Sequence, residues 1–302
     1  MLTRAVQSYL SVRRATGFRL DKAGYHLRSF AAYSDAKHRH YVNSQAAVEW
    51  AQQVPSARQR ARRLGDVIRF AKYLHAEDAR HEIPTAVFGS GRCPRRPPYI
   101  LSDEQICRVI QLAAQSGHHT LRRQTYSTLF ALLSCTGLRV SEAIRLRYDD
   151  ITPDGLVIRA TKFRKSRLVP LHATARAALE RYLQQRRPYA PFDDHVFISL
   201  RRKPLLHADV DRAFRTAAAK MGLPRGRGRR RPTPHSLRHT FAVRALQTFP
   251  DGRDHITRHM LLLSTYLGHC KVADTYWYLE AVPALMRSIA ECTETYITGG
   301  TP

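Results

Sequence analysis

Hydrophobic residues recur every three or four positions through most of the chain, which is the spacing of one buried face on an α-helix. Near the start, Val6, Tyr9 and Leu10 have this spacing. A longer stripe follows and consists of Leu64, Val67, Ile68, Ala71 and Leu74. The pattern predicts a helical N-terminal part that extends to about residue 84.

Residues 85–98 interrupt this spacing with a dense group of prolines and glycines, which is typical of a linker. Beyond it, Ser102 and Gln105 have the spacing of a helix capping box. Two predicted helices follow, with apolar positions at Ile106, Val109, Ile110 and Ala113, and at Tyr126, Leu129, Phe130 and Leu133. The capping pattern therefore predicts that a second domain begins directly after the linker.

A short β region then replaces the helical spacing. The stretches 156–158 and 168–171 predict two paired strands, with a turn at Pro153, Asp154 and Gly155 before them. Helical spacing resumes with Ala175, Ala178, Leu179, Tyr182 and Leu183. The sequence thus predicts a mainly α fold with a small β-sheet, in two domains at 1–84 and 99–302 that are joined by a linker at 85–98.

The charge balance is strongly basic. Fifty Lys and Arg oppose 24 Asp and Glu, which gives a net charge of +26 and a pI near 10.7. Such an excess repels itself unless the partner is a polyanion, so nucleic acid is the first candidate partner and an anionic membrane surface the second. No run of about 18 apolar residues is present, and no Trp- or Phe-rich amphipathic face favours a membrane surface. A merely solvated basic surface stays open as an alternative.

The five cysteines are odd in number and widely spaced, which argues against a disulfide framework or a cysteine zinc site. Free thiols fit a reducing cytosol. The N-terminal residues lack the continuous apolar core of a signal peptide.

Four short segments carry the candidate chemistry. They are TGLRVSE (136–142), TKFRKSRLVPL (161–171), HSLRH (235–239) and LGHCKVADTYWY (267–278). Each is weak alone, but in this order they resemble the tyrosine recombinase, or phage integrase, family. The resemblance covers about the last two-thirds of the chain. It implies a catalytic domain there, and the helical, basic front third is similar to the family's SAM-like core-binding domain.

The resemblance also implies a catalytic set, which consists of Arg139, Lys162, His235, Arg238, His269 and Tyr278. Tyr278, nine residues after His269, would be the nucleophile, with Tyr276 as the alternative. Lys162 would protonate the leaving 5′ oxygen, with Lys165 as the alternative. His235 and His269 would contact the scissile phosphate.

The chemistry of phosphate supports this assignment. In-line attack on a phosphodiester adds negative charge to the phosphoryl oxygens, and preorganised cationic donors lower that barrier. Arginine binds phosphate through two parallel hydrogen bonds and stays charged, which suits Arg139 and Arg238. An ion pair with Glu142, one helical turn away, is the alternative interpretation of Arg139.

His235 and Arg238 share a helix face if their segment is helical. His239 lies one turn after His235, and we interpret it as structural. The two histidines have the spacing of a metal pair, but no acidic residue or cysteine completes the set. We expect no metal and no cofactor. Backbone contacts to DNA are expected from the basic residues Arg164, Lys165, Arg227, Arg229, Arg230 and Arg231.

The function that the resemblance implies is site-specific recombination of double-stranded DNA through a 3′-phosphotyrosyl link, by a homo-tetramer on two DNA sites, with accessory proteins as further partners. The ending TYWYLEAVPALM is similar to recombinases carried by transposons, which favours integration, excision or transposition of a mobile element. We expect the protein in the cytoplasm, at the bacterial nucleoid. Two alternatives stay open: an inactive DNA-binding protein or repressor with this fold, and a type IB topoisomerase or hairpin-forming resolvase.

Overall fold

The computed structural model of the chain describes residues 1–89, 97–159, 166–190, 193–224, 231–248, 253–269 and 271–279, with only the helical backbone for 253–257. The chain divides into two compact units, residues 1–95 and 96–302. The division lies within the Pro- and Gly-rich stretch from which a linker is predicted.

Four helices make up the described part of the first unit, residues 1–89. They are α1 (Leu2–Ala15), α2 (Asp21–Asp35), α3 (Ser44–Gln52) and α4 (Ala57–His75). Trp50, Phe30 and Phe70 lie at the centre of their shared core. The stripe predicted on α4 is confirmed: four of its five members are buried, and Ile68 packs partly buried against the same core.

The second unit contains the remaining described helices and a sheet. Its helices are α5 (Asp103–Ala114), α6 (Thr120–Thr136), α7 (Val140–Ala143), α8 (Ala173–Arg186), α9 (His207–Lys220), α10 (Pro234–Gln247), α11 (Arg253–Leu267) and α12 (Ala273–Tyr276). Two short 3₁₀ turns lie at Tyr148–Asp150 and Arg187–Tyr189. The capping box predicted at the start of α5 is confirmed, because Ser102 and Gln105 each accept the other's backbone N–H.

The sheet has three antiparallel strands, β1 (Ile151–Thr152), β2 (Gly155–Ile158) and β3 (Arg167–Val169). The predicted pairing is confirmed, with Leu156 opposite Val169. Two details of the prediction are wrong. The last strand ends at Val169 instead of continuing to residue 171, since Pro170 has no N–H to donate, and β1 is an additional strand whose two residues are too few to form a pattern.

Packing around α10 gathers the segments that carry the candidate chemistry. Helix α10 packs against α6 on one side and α11 on the other, and α11 also contacts β3. An apolar cluster of Val243, Leu246, Leu263 and Leu267 joins α10 to α11, and Tyr278 belongs to it. The mainly α fold with a small sheet is confirmed. Among the described residues, no helix is long and apolar enough to cross a membrane.

Candidate active site

A glycine turn positions the first arginine. Helix α6 ends at Gly137, whose φ of +61° lies in the left-handed region that favours glycine. A Cβ on Gly137 would lie 2.4 Å from Cδ1 of Phe241, so a side chain there would also clash. The turn brings Arg139 to the N-terminal end of the short helix α7.

Arg139 connects two of the four sequence segments. Its Nη1 donates to Oε1 of Glu142 at 2.7 Å, and its backbone N–H donates to Oε2 at 2.9 Å. Its Nη2 donates to the carbonyl oxygen of Gly268 at 2.9 Å. The predicted ion pair with Glu142 is present, and the same guanidinium reaches the segment that contains His269.

Arg238 lies at the centre of the cluster and is only 1% exposed. Its Nη1 donates to the Gly137 carbonyl oxygen at 2.7 Å, and its Nη2 donates to the Leu267 carbonyl oxygen at 2.6 Å. The same Nη2 lies 3.1 Å from Nε2 of His269. Burial, followed by the charge of Arg139, lowers the pKa of Arg238 to about 10, so it stays positively charged at neutral pH.

Besides Arg139, Glu142 binds Arg167, an arginine that the sequence motifs did not single out. Arg167, at the start of β3, donates to both carboxylate oxygens of Glu142 at 3.1 and 2.8 Å, and its Nε donates to the Tyr266 carbonyl oxygen at 2.7 Å. Burial would raise the pKa of Glu142, but Arg167 and then Arg139 lower it to about 2. The carboxylate is therefore ionised and holds two arginines.

Gly268 makes this approach possible. Its φ is +64°, and a Cβ there would lie 2.7 Å from Nη1 of Arg167. A larger residue would push away the arginine that holds Glu142, so the glycine of the LGH segment has a specific steric role.

Tyr278 lies against His269. The two rings are stacked, with centroids 6.1 Å apart and planes 15° apart. His269 is itself held in place, because its Nδ1 lies 2.7 Å from Oγ1 of Thr275. Tyr278 is 2% exposed, whereas Tyr276 is 51% exposed. The structure therefore brings Tyr278 into the cluster and leaves Tyr276 at the surface.

His239 contacts the Tyr278 hydroxyl directly. Its Nδ1 lies 3.2 Å from that oxygen. Its ring also packs edge-on against His235 and Trp277, at centroid distances of 4.4 and 5.0 Å. The interpretation of His239 as purely structural missed this contact, and its position directly after Arg238 was the available signal.

The histidines of the cluster are neutral in the free protein. Removal from water is the largest cause in each case. The charge of Arg238 comes next for His235 and His269, whereas for His239 the neighbouring His235 comes next and then Arg238. The resulting pKa is about 4 for His235 and His269 and about 3 for His239. Burial raises the pKa of Tyr278, while the charge of Arg238 favours its phenolate.

Some predicted site residues lie outside the described residues. These are Lys162, Arg164, Lys165, Arg227, Arg229 and Arg230. Arg231 is described and is exposed. His235 is the most exposed of the three clustered histidines, and its ring contacts His239. The structure thus brings together five of the six expected catalytic residues: Arg139, His235, Arg238, His269 and Tyr278.

This arrangement suits an anionic substrate that is attacked by a phenol. Two arginines supply positive charge, the neutral His239 is a hydrogen-bond partner of the phenol, and the ring of His269 stacks on it. Among the described residues, Asp193, Asp194 and His195 form the one group of three or more His, Cys, Asp or Glu side chains close enough to share a metal ion, and neither His235 nor His239 belongs to it.

Comparison with known proteins identifies the class. Residues 100–283 match the phage integrase family, which is more than half of the chain. The chain is 39% identical over 298 residues to integrase/recombinase y4rB of Sinorhizobium fredii, which covers 94% of each chain. It is 32% identical over 222 residues to tyrosine recombinase XerD of Proteus mirabilis, covering 72% of this chain and 66% of that one. The chain therefore belongs to the phage integrase family.

Solved structures share the fold at low sequence identity. XerH recombinase bound to its palindromic difH substrate aligns with a TM-score of 0.66 and 19% identity, over 91% of this chain and 80% of that one. The Tn1549 transposon integrase in complex with transposon right end DNA aligns with a TM-score of 0.65 and 16% identity, over 96% and 99%. These neighbours support the fold, which is the two-domain fold of the tyrosine recombinases.

Proposed function

We propose that this chain is a site-specific DNA recombinase that cuts and rejoins DNA strands through a covalent 3′-phosphotyrosyl link at Tyr278. The observation that carries the proposal is the position of that phenol. Its hydroxyl contacts His239, its ring stacks on His269, and the charge of Arg238 favours its ionised form. An ordinary tyrosine is a poor nucleophile, and such neighbours are what it needs to react.

The buried Arg238 and the partly buried Arg139 are the proposed phosphate clamp. Arg139 and Arg238 are both held by backbone carbonyl oxygens of the LGH segment, which fixes their guanidinium groups before substrate arrives. Preorganised donors stabilise developing charge without reorganising during the reaction. His235 would add a neutral hydrogen-bond donor to the same phosphate. His269 would do so only after its Nε2, which accepts from Arg238 in this structure, exchanged that partner for the phosphate.

Lys162 is the proposed general acid for the leaving 5′ oxygen, on the strength of its place in the hairpin motif. After cleavage, the 5′ hydroxyl of a second duplex would attack the phosphotyrosine and release Tyr278. Because one phosphodiester is exchanged for another, the cycle needs no external energy source. Two duplexes must be held at once, which supports a homo-tetramer on two DNA sites; among the structural neighbours, a lambda integrase tetramer is bound to a Holliday junction.

The first unit is proposed to contact DNA as a core-binding domain, with the chain of residues 85–98 as the linker to the catalytic domain. Arg58, Arg62 and Arg69 of α4 line a groove of about 380 Å³ on that unit. Cationic side chains on one helix provide salt-dependent contacts to the phosphate backbone. The basic residues 164, 165, 227 and 229–231 would make similar contacts near the catalytic domain.

The proposed biological role is integration, excision or transposition of a mobile element in the bacterial cytoplasm. The sequence ending TYWYLEAVPALM motivates this role, and a transposon integrase, that of Tn1549, is among the proteins that share the fold. Accessory proteins would then direct the choice between integration and excision.

Covalent trapping tests the proposal. The protein is incubated, without metal or ATP, with nicked suicide duplexes drawn from DNA that flanks its own gene. We expect a protein–DNA adduct on denaturing gels, and peptide mapping should locate the DNA on Tyr278.

Three other results would contradict parts of the proposal. An adduct on Tyr276 would reassign the nucleophile. Tight, salt-sensitive binding of a duplex that contains the target site, without any adduct, would favour a DNA-binding protein that has lost catalysis. Relaxation of supercoiled plasmid of any sequence, without strand exchange, would favour a topoisomerase.

A further inference from the structure

His239 is outside the set of residues that the sequence motifs assign to catalysis, yet its ring nitrogen lies within hydrogen-bond distance of the Tyr278 hydroxyl. Its Nδ1 lies 3.2 Å from the Tyr278 hydroxyl. The position is constrained on several sides, since the His239 ring packs against the rings of His235, Trp277 and Tyr278. A ring so confined cannot easily turn its Nδ1 away from the hydroxyl.

The direction of this hydrogen bond depends on the protonation states of the two groups and on the tautomer of His239. Burial raises the pKa of Tyr278, so its phenol keeps its proton in the free protein. His239 is neutral there, because burial and the charges around it lower its pKa. A neutral imidazole with its proton on Nε2 has a free lone pair on Nδ1, which accepts from the Tyr278 O–H.

We propose that His239 is the catalytic base that takes the hydroxyl proton of Tyr278 as the phenol oxygen attacks the DNA phosphate. This inference rests on the proposed recombinase function and adds a residue to it. The Tyr278 O–H bond breaks, and its proton passes to Nδ1 of His239. The phenol oxygen forms a bond to phosphorus while the bond from phosphorus to the 5′ oxygen breaks, and the leaving oxygen takes a proton from the general acid. In the reverse attack, His239 returns its proton to Tyr278.

The charges that face His239 explain how DNA would switch on this base. In the free protein its neighbours are His235, Arg238, His269 and the neutral phenol of Tyr278, and the positive charge among them disfavours a protonated His239. A bound phosphodiester brings a negative charge next to the same arginine. Opposite charge nearby favours the protonated imidazole, so His239 becomes a better proton acceptor once substrate is bound.

Two substitutions separate the roles that His239 can have. His239→Ala removes the acceptor, whereas His239→Asn can place an amide oxygen near the position of Nδ1 but cannot take a proton. His172→Asn is the matched control, because His172 is exposed and caps helix α8, a position that asparagine also favours. Single-turnover rates of covalent attachment are measured with saturating suicide duplex, beside DNA affinity and melting temperature for each variant.

We expect both His239 variants to attach at least about 100-fold more slowly than the parent, since general base catalysis contributes about 10²–10⁴-fold. DNA affinity and melting temperature should stay close to those of the parent and of His172→Asn. A duplex with a 5′-bridging sulfur, whose thiolate leaves without protonation, should not restore the rate of either variant, but should restore that of Lys162→Ala. In the parent, the rate should fall at low pH as His239 becomes protonated, and His239→Asn should lose that dependence.

Several results would overturn the inference. A His239→Ala rate within threefold of the parent would remove His239 from the chemistry, and a His239→Asn rate equal to that of the parent would reduce it to a hydrogen-bond acceptor. If the 5′-bridging sulfur restored the rate of the His239 variants, His239 would act on the leaving 5′ oxygen and not on the Tyr278 proton. If His239→Ala does not fold, the rate of His239→Asn and the pH dependence of the parent still test whether His239 is the base. Failure of the parent to form any adduct would contradict the recombinase function itself.

Discussion

Glu142 binds Arg139 through both of its carboxylate oxygens, one to the guanidinium at 2.7 Å and one to the backbone N–H at 2.9 Å. The same carboxylate also pairs with Arg167, so a single side chain fixes two arginines beside the candidate nucleophile. Because Glu142 positions two arginines, its loss should slow the proposed reaction although Glu142 itself is not expected to contact the substrate.

We therefore predict that Glu142→Gln slows covalent attachment by about 100-fold, because small displacements of a catalytic group carry penalties of that size. It should also destabilise the protein by about 3 kcal/mol, since it leaves a mostly buried Arg167 without its counter-charge. Single-turnover rates and urea unfolding measure the two effects. Glu180→Gln, at an exposed position of α8, is the control. Equal rates for the two variants would contradict the positioning role.

The two neighbouring tyrosines should behave differently. Tyr278→Phe removes the buried hydroxyl that contacts His239, so we expect normal DNA binding and no covalent adduct. Tyr276→Phe changes an exposed residue and should leave attachment unchanged. Gel-shift assays and denaturing gels on the same duplex measure both properties. An adduct that survives in the first variant and disappears in the second would reverse the assignment.

Loss of a clamp arginine should affect the rate more than the affinity. Arg139→Ala removes a donor that is aimed at charge formed only in the transition state, which is worth about 3 kcal/mol or more, or about 100-fold in rate. Arg181→Ala, which removes an exposed arginine of α8, should match the parent. Saturating duplex in single-turnover assays isolates the rate. A value for Arg139→Ala within tenfold of the parent would rule out the clamp.

Stability should fall as the solution becomes acidic. His239 and His269 have a folded-state pKa of about 3 and about 4, below the usual value of 6.5. The unfolded chain therefore binds more protons than the folded one between pH 6.5 and 4, and the free energy of unfolding decreases as pH falls through that window. Each histidine contributes up to about 1.4 kcal/mol per pH unit.

Urea unfolding at several pH values between 7.5 and 4 measures this dependence. His239→Asn should flatten the slope, whereas His172→Asn at an exposed position should leave it as in the parent. A slope that is the same in all three proteins would show that these buried histidines do not control acid stability.

The sequence predicted the architecture where its patterns were long. The α4 stripe, the α5 capping box and the pairing of β2 with β3 each depend on residues close together in the chain. Strand β1 has two residues and carries no periodic signal, so only the folded sheet reveals it. The family resemblance located the candidate catalytic residues because motif order survives where overall identity is low.

Contacts between side chains far apart in the sequence could not be predicted from local patterns. Arg167 reaches Glu142 across 25 positions, and His239 reaches Tyr278 across 39. Helical spacing placed His239 beside His235 but could not show what its Nδ1 would meet. The candidate arginines and the candidate nucleophile could thus be predicted from sequence motifs, whereas the groups that orient them are brought into place by the packing of α10 against α6 and α11.

Tyr278 is almost fully enclosed when no DNA is present. In the proposed reaction a phosphodiester would have to reach this phenol, so a local rearrangement would precede attack by Tyr278. A protein with a charge of +26 will meet a great deal of DNA that is not its target. Encounters that bind the basic surface without causing this rearrangement would leave the strand intact. For the proposed recombinase, enclosure of Tyr278 would therefore separate the frequent event of binding DNA from the rare event of cutting it.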